Sequence, residues 1–308
     1  MIQPSILSVV TGGAGFIGSH LVEALLREGR RVRVVDDLST GRRANVPAGA
    51  ELLEGDVNEV AARAVEGADA VYHLAALPSV PRSVERPIEC HRATAQGTLA
   101  ILAAAERAGV RRVVFASSSS VYGDTAVLPK REELPPRPLS PYAAAKLAGE
   151  MYCRSWAAHT GLETVSLRFF NVYGPRQDPD SPYAAVIPTF IRCLREGRRM
   201  PVFGDGGQTR DFTFVGDVVK GILLAGGAAG ASGRVYNLAG GRPVAVLELA
   251  RALAALAGVR PEIELLPPRA GDIRDSWADA GAAGRDLGFE AGTSLAEGLR
   301  RTLEGIVA

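Results

Sequence analysis

Two stretches of the chain carry residues able to move protons. SSSSVYG at 117–123 closes an apolar run with four hydroxyls, and SPYAAAKLAGE at 140–150 sets Tyr142 and Lys146 four residues apart. On a helix that spacing puts both side chains on one face, one turn apart. An ammonium beside a phenol favours the phenolate and draws its pKa down from about 10 toward working pH, which makes a general base. A Tyr-x-x-x-Lys pair alone is ordinary surface decoration. Its position, on a helix that comes after a strand ending in hydroxyls, gives it weight. No carboxylate stands among the serines, and a hydroxyl is a poor base for a carbon-bound proton. A hydrolase nucleophile is excluded, because Gly-x-Ser-x-Gly is absent.

The second cluster of chemistry lies at the N-terminus. TGGAGFIGSH at 11–20 supplies Gly12, Gly15 and Gly18 between a β-branched run and a helical pattern. Glycines at that spacing allow a tight turn and close approach of a pyrophosphate to the N–H groups of a helix start. Asp36 stands 18 residues after Gly18, at the end of RVRVVDD. There its carboxylate can accept from both hydroxyls of an adenosine ribose, and its charge repels a 2′-phosphate, favouring NAD over NADP. Arg42 and Arg43 in the next loop could soften that preference. The positive nicotinamide ring would join Lys146 in favouring the Tyr142 phenolate.

The elements that must position these groups alternate. ILSVV (6–10), RVRVVDD (31–37), AVYHLAA (70–76), RRVVFASS (111–118) and TVSLRFF (164–170) read as strands. Helical patterns lie between them, notably 16–29, 94–108 and 142–159. This alternation predicts an α/β fold: a Rossmann-type doubly wound parallel sheet with helices on both faces. After Asn171 the texture shifts to Gly, Pro and Arg, and a smaller C-terminal domain is expected, with helices at 186–197 and 246–258. The expected division is 1–172 for the cofactor and 173–308 mainly for substrate, the chain returning to the first part around 212–240.

Composition narrows the classes. With 308 residues, 47% hydrophobic, 22% charged and a formal net charge of +1, nothing draws the chain globally to nucleic acid or an anionic membrane. Cys90, Cys153 and Cys193 are three and far apart, so neither a disulfide framework nor a metal site is expected. No run of about 20 apolar residues and no signal peptide is seen, which predicts a cytoplasmic protein.

These stretches, with VVDDLSTG, GDV, HLAA, RFFNVYGPRQ, GDGGQTRDFTFVGDVV and RAGDIRDSWAD, resemble an extended short-chain dehydrogenase/reductase of the UDP-galactose (UDP-N-acetylglucosamine) 4-epimerase family, across residues 9–279. The resemblance implies NAD as a tightly bound cofactor and a UDP-sugar as substrate. It implies Ser118, Tyr142 and Lys146 as the catalytic set. It puts Gly12, Gly15, Phe16, Ile17, Gly18, Asp36, Asp37, Asp56, Val57, Leu74, Ala75 and Ala76 on the cofactor, together with Tyr142 and Lys146. It puts Ser118, Ser119, Asn171, Arg210, Arg269, Asp272 and Ser276 on the substrate. Related 4,6-dehydratases carry Asp-Glu where Ser119 and Ser120 stand, and decarboxylating relatives a Glu at the second, so the serines imply chemistry confined to C4. A small Ser276 leaves room for an N-acetyl group at C2. The resemblance also implies a homodimer built on the helices around 94–108 and 142–159. Two departures stand out: Thr94 for a usual Asn, and Pro78 after HLAAL. The alternatives are a UDP-glucuronate epimerase or decarboxylase, with Arg82 and Arg176 free to meet a carboxylate, and a non-catalytic NAD-binding sensor.

Overall fold

The computed structural model describes residues 6–181, 184–268 and 273–307. Among them, β1 (Leu7–Thr11), β2 (Arg31–Asp36), β3 (Glu51–Glu54), β4 (Ala70–His73), β5 (Arg112–Ser118) and β6 (Glu163–Phe169) form one parallel sheet. The short β7 (Val172–Tyr173), β8 (Met200–Phe203), β9 (Thr209–Asp211) and β10 (Thr213–Phe214) come next, and then β11 (Arg234–Leu238) returns to the sheet beside β6. The strand order is β3-β2-β1-β4-β5-β6-β11. This is the Rossmann-type arrangement expected from the alternation, extended by one strand.

The inner strands are largely apolar because both faces are covered, although buried polar groups such as Ser8, Arg112, Ser166 and Arg168 interrupt them. Their side chains still alternate. Val10, Val34, Tyr72 and Val114 point into one core, and Val9, Val35, Val71, Val113 and Phe115 into the other. The first core lies against α1 (Phe16–Arg27). The second lies against α2 (Val57–Ala64), and beyond α3 (Val80–Glu85) and α4 (Pro87–His91) it takes in α5 (Gly97–Arg107) and α6 (Pro141–His159). The first core runs on into the C-terminal part, through Phe190 of α7 (Val186–Arg195), Ile222 of α8 (Val215–Gly227) and Leu249 of α9 (Val246–Leu256). The C-terminal part therefore shares the sheet's core. Its small sheets add β12 (Pro243–Ala245), β13 (Ile263–Leu266) and β14 (Asp275–Ser276), and the chain ends in α10 (Gly281–Leu287) and α11 (Leu295–Val307).

One stretch departs from the expected regular helix. Residues Arg92–Gln96 form a π-helical turn before α5 starts at Gly97. The Thr98 hydroxyl donates to the Thr94 carbonyl at 2.7 Å inside it. Thr94 is fully buried, and its own hydroxyl oxygen accepts the Leu77 N–H at 3.4 Å. The Thr94 departure thus ties the turn to the loop after β4.

Both Tyr142 and Lys146 ride on α6. The Ser140 hydroxyl caps this helix by accepting the Ala143 N–H at 3.2 Å, and Pro141 occupies the first turn. Tyr142 is thereby held at the helix start. Further along, a Cβ on Gly149 would lie 2.4 Å from Phe115 Cζ, so only glycine lets α6 sit this close to β5. Gly149→Ala is expected to lower stability by about 1–3 kcal/mol through overpacking. Chemical denaturation checks this, and an unchanged midpoint would show that the helix can move off the strand freely.

Candidate active site

The strand order reverses between β1 and β4, which opens a crevice at their carboxyl ends. A cavity of about 450 Å³ lies there. Gly12, Gly15 and the first residues of α1, Phe16, Ile17 and Gly18, line it. A Cβ on Gly12 would lie 2.8 Å from the Ala75 nitrogen, and one on Gly18 2.1 Å from the Gly12 carbonyl oxygen. The cradle exists only because those side chains are missing. The first-turn N–H groups of α1 have no intrahelical partner, and with the helix dipole they suit a pyrophosphate.

Asp36 is buried at the end of β2 and accepts the Ala14 and Leu38 N–H groups, each at 2.9 Å. Burial raises its pKa, and those two bonds pull it back. Asp37 is exposed and accepts from the Ser39 N–H at 2.9 Å and the Ser39 hydroxyl at 2.6 Å. Asp56 caps α2 through the Asn58 N–H at 2.8 Å and pairs with Arg92 of the π turn at 3.0 Å. Val57, Leu74, Ala75 and Ala76 complete the set, so the residues expected around the cofactor all face one cavity with Tyr142 and Lys146. Glycine cradle, helix start and strand-end acid together fit a dinucleotide with a free ribose diol. The arginines expected to soften the NAD preference are engaged elsewhere: Arg42 with Asp178 at 3.1 Å, and Arg43 with Glu54.

The four serines differ in their partners. Ser117 donates to Glu150 at 2.5 Å. Ser118 accepts the Ser120 N–H at 3.2 Å and the Ser120 hydroxyl at 2.9 Å, and it hydrogen-bonds Tyr142. With its oxygen already accepting twice, Ser118 directs its own proton to the phenol. Ser119 opens the 3₁₀ turn Ser119–Tyr122 and is partly buried. Among the described residues, no carboxylate hydrogen-bonds Ser118, Ser119 or Ser120.

The phenol's own surroundings favour its neutral form. The Lys146 ammonium donates to the Ala116 carbonyl at 2.7 Å and stands 5.9 Å from the centre of the Tyr142 ring. Burial pushes the Tyr142 pKa up to about 12, and the Ser118 hydrogen bond offsets only part of that. Lys146 is drawn down to about 8 by burial. The protein's own groups therefore leave the tyrosine protonated, and the sequence reading drew on the positive nicotinamide ring as well as on Lys146.

The substrate residues are less gathered. Ser276 is buried on β14 and stands in register with Arg210 on β9. Arg210 donates to the carbonyls of Thr209 at 2.8 Å and Arg274 at 3.2 Å. Asn171 is exposed, with φ +21°, and its carbonyl accepts the Thr213 N–H at 3.3 Å. Ser118, Ser119, Asn171, Arg210 and Ser276 do not line the cofactor cavity, whereas Ser117 does. Arg269 and Asp272 lie outside the described residues. The arginines expected to be free for a uronic acid are already paired, Arg82 with Glu89 at 2.7 Å and Arg176 with Glu23. Glu89 and Arg92, both unforeseen, line the cavity.

A second unforeseen feature is a buried polar chain behind the glycine loop. His73 Nδ1 lies 2.7 Å from the Thr11 hydroxyl, and Nε2 lies 3.1 Å from the Thr98 hydroxyl. The Thr98 proton goes to the Thr94 carbonyl, so Nε2 must donate and Nδ1 accept. The Thr11 oxygen in turn accepts the Ala75 N–H at 3.1 Å. The chain joins β1, β4 and the π turn around a neutral imidazole, whose pKa burial and the Lys146 charge lower to about 3.

Comparison with known proteins points one way. Residues 8–239 match the NAD dependent epimerase/dehydratase family. The chain is 41% identical over 308 residues to a UDP-glucose 4-epimerase of Mycolicibacterium smegmatis, covering 96% of this chain and 97% of that one. A UDP-N-acetylglucosamine 4-epimerase from Methanobrevibacter ruminantium, solved with UDP-N-acetylmuramic acid, superposes with a TM-score of 0.95 at 35% identity over 99% of both chains. A Thermus thermophilus UDP-glucose 4-epimerase in complex with NAD gives a TM-score of 0.90 at 37% identity, over 98% of this chain and 99% of that one.

The neutral imidazole has a pH consequence. Its folded pKa of about 3 lies below the ordinary 6.5, so its contribution to stability is full above 6.5 and is lost as pH falls toward 3. In His73→Gln that loss is absent, and the stability gap to the wild type is expected to narrow as pH drops through this window. Thermal melts across the range check it; a gap that widens on acidification would contradict the neutral assignment.

Proposed function

The chain belongs to the NAD dependent epimerase/dehydratase family, and from that premise we propose that it inverts C4 of UDP-hexoses by transient oxidation to a 4-keto sugar. The observation that carries this is the Ser118–Tyr142 pair at the end of β5, beside serines at 119 and 120 where carbon–hydrogen chemistry would need an acid or base. The Gly12–Gly18 cradle, Asp36 and Lys146 would hold NAD. When bound, NAD⁺ supplies a hydride acceptor for C4 and a positive ring charge that favours the phenolate.

Tyr142 takes the proton of the sugar 4-hydroxyl and later returns it. Ser118 donates to the phenol oxygen and aligns the hydroxyl with it. Lys146, fixed on the Ala116 carbonyl, would hold its ammonium toward the cofactor and donate to it. The keto sugar turns about its link to the diphosphate, so the opposite face of C4 is presented on return. Arg210 and Asn171 receive the nucleotide diphosphate, an anion suited to a planar guanidinium. Arg269 and Asp272 would add to them. Ser276 borders the C2 substituent and admits an N-acetyl group, a reading supported by its burial beside Arg210 and by the substrate named for the archaeal relative. A uronic acid substrate is disfavoured by the prior pairing of Arg82 and Arg176. The functional unit is a homodimer in this reading, with exposed Leu99 on α5 and Met151 on α6 forming part of the contact.

Incubation with UDP-glucose, UDP-galactose and their N-acetylated counterparts, read by proton NMR at C4, tests the activity; a panel that comes back unchanged refutes it. Tyr142→Phe is expected to lose about 10²–10⁴-fold in kcat while keeping its NAD, as removal of a general base should. Ser276→Tyr is expected to cut kcat/KM for the N-acetylated pair by at least about tenfold relative to the plain hexoses. If the ratio holds, the gate lies elsewhere.

A further inference from the structure

Glu150 is a fully buried carboxylate in the middle of α6, one turn beyond Lys146 and two beyond Tyr142. One of its oxygens accepts from the Ser117 hydroxyl at 2.5 Å and from Arg168 Nε at 2.9 Å, and the other accepts from Arg168 Nη2 at 2.7 Å. Arg168 comes from β6, is itself buried, and stacks 4.5 Å from the centre of the Tyr122 ring. Three rungs therefore join α6 to the end of β5: Tyr142 to Ser118, Lys146 to the Ala116 carbonyl, and Glu150 to Ser117. The last rung alone draws in a third element, through the charge pair with Arg168.

An ordinary reading makes this a structural ion pair. Yet such a pair gives up the hydration of both charges, and packed apolar residues often serve stability equally well. Its location behind the reacting groups gives it a further role. We propose that Glu150, through its pair with Arg168 and its bond to Ser117, is the positioning residue that sets the Ser118–Tyr142 alignment, from behind the site and without touching substrate. The proposal rests on the reading that Tyr142 and Lys146 do the chemistry.

The surroundings of Lys146 give Glu150 this weight. Lys146 faces the Phe115 ring at 5.0 Å and the Ala116 carbonyl. Cys90 from α4 and Cys153 from α6 are thiols whose pKa values burial raises, and His73 from β4 is neutral. Tyr142 is a protonated phenol. Glu150 is the carboxylate in this group, and its charge opposes the loss of the lysine proton that burial promotes, after the larger effects of Cys90 and Cys153. Arg168 faces Glu132 as well as Tyr122. Removing the Glu150 charge takes away the anion of this group, which lowers the Lys146 pKa, and it also removes the acceptor that holds Ser117 and Arg168 together.

The chain has three lysines, Lys130, Lys146 and Lys220, so ε-carbon labelled lysine gives a resolvable NMR titration in the NAD-loaded enzyme. In Glu150→Gln the Lys146 midpoint is expected to fall, and kcat to drop by about tenfold as the bond to Ser117 weakens. In Glu150→Met with Arg168→Met both charges leave together, so no uncompensated charge is left buried while the bonds to Ser117 are lost. In this double variant kcat should still drop by about 10- to 100-fold with KM for UDP-sugar little changed, because the alignment is lost. The double variant also serves if the single one does not fold. A Glu150→Gln variant or a double variant with wild-type kcat overturns the proposal. Tyr142→Phe with intact kcat would instead remove the reading beneath it.

Discussion

The close contact of α6 with β5 is the constraint on which the site depends. Gly149 lets the helix lie against Phe115, and the Ser140 cap fixes where the helix begins. Those two local facts set the height and the phase of α6. Tyr142, Lys146 and Glu150 then meet the last three residues of β5 in register. A shift of the helix by one residue would rotate all three by about 100°, since successive residues are spread around an α-helix. The chemistry is thus written in one packing contact between a strand and the next long helix.

The sheet supplies the other half. Its order reverses between β1 and β4, and the cavity opens where the reversal leaves a gap. The nucleotide end is built mostly from backbone: glycines that make room, and N–H groups that carry partial positive charge. This explains how a chain of net charge +1 can hold an anionic cofactor. The field needed is local, and it comes from a helix terminus. Behind it, the Thr11–His73–Thr98 chain fixes β1, β4 and the π turn to one another without placing a charge in the core. Among the described residues no helix is long and apolar enough to cross a membrane, and no cluster of His, Cys, Asp and Glu could hold a metal ion.

Much of this was legible in the sequence because it is local. The runs at 6–10, 31–37 and 111–118 fold as strands within a residue or two of the expected limits, since short β-branched stretches between helical patterns have few other uses. The Gly12–Gly18 pattern lies at a helix start because its steric need is local as well. What escaped depends on partners distant along the chain. Glu150 looks like a surface residue in an Ala-rich helix until Arg168 is brought beneath it. Arg82 and Arg176 look available until Glu89 and Glu23 are found beside them. The π turn at Arg92–Gln96 leaves no mark in residue periodicity, and its reason lies in contacts to Leu77 and Thr98. The burial of the Tyr142 phenol escaped as well, because spacing places an ammonium on the same helical face but does not reveal how far the packed site strips the ring of water.

The central claim is that an aligned phenol works on a hydroxyl, and that no acidic side chain works on carbon. A reaction run in deuterium oxide with UDP-glucose tests it most directly, the product being read by NMR and mass. The account predicts UDP-galactose with ordinary hydrogen at C4 and C5 and no gain in mass beyond exchangeable positions. Deuterium at either carbon would mean that a carbon-bound proton had been given up to solvent, and the account would be wrong.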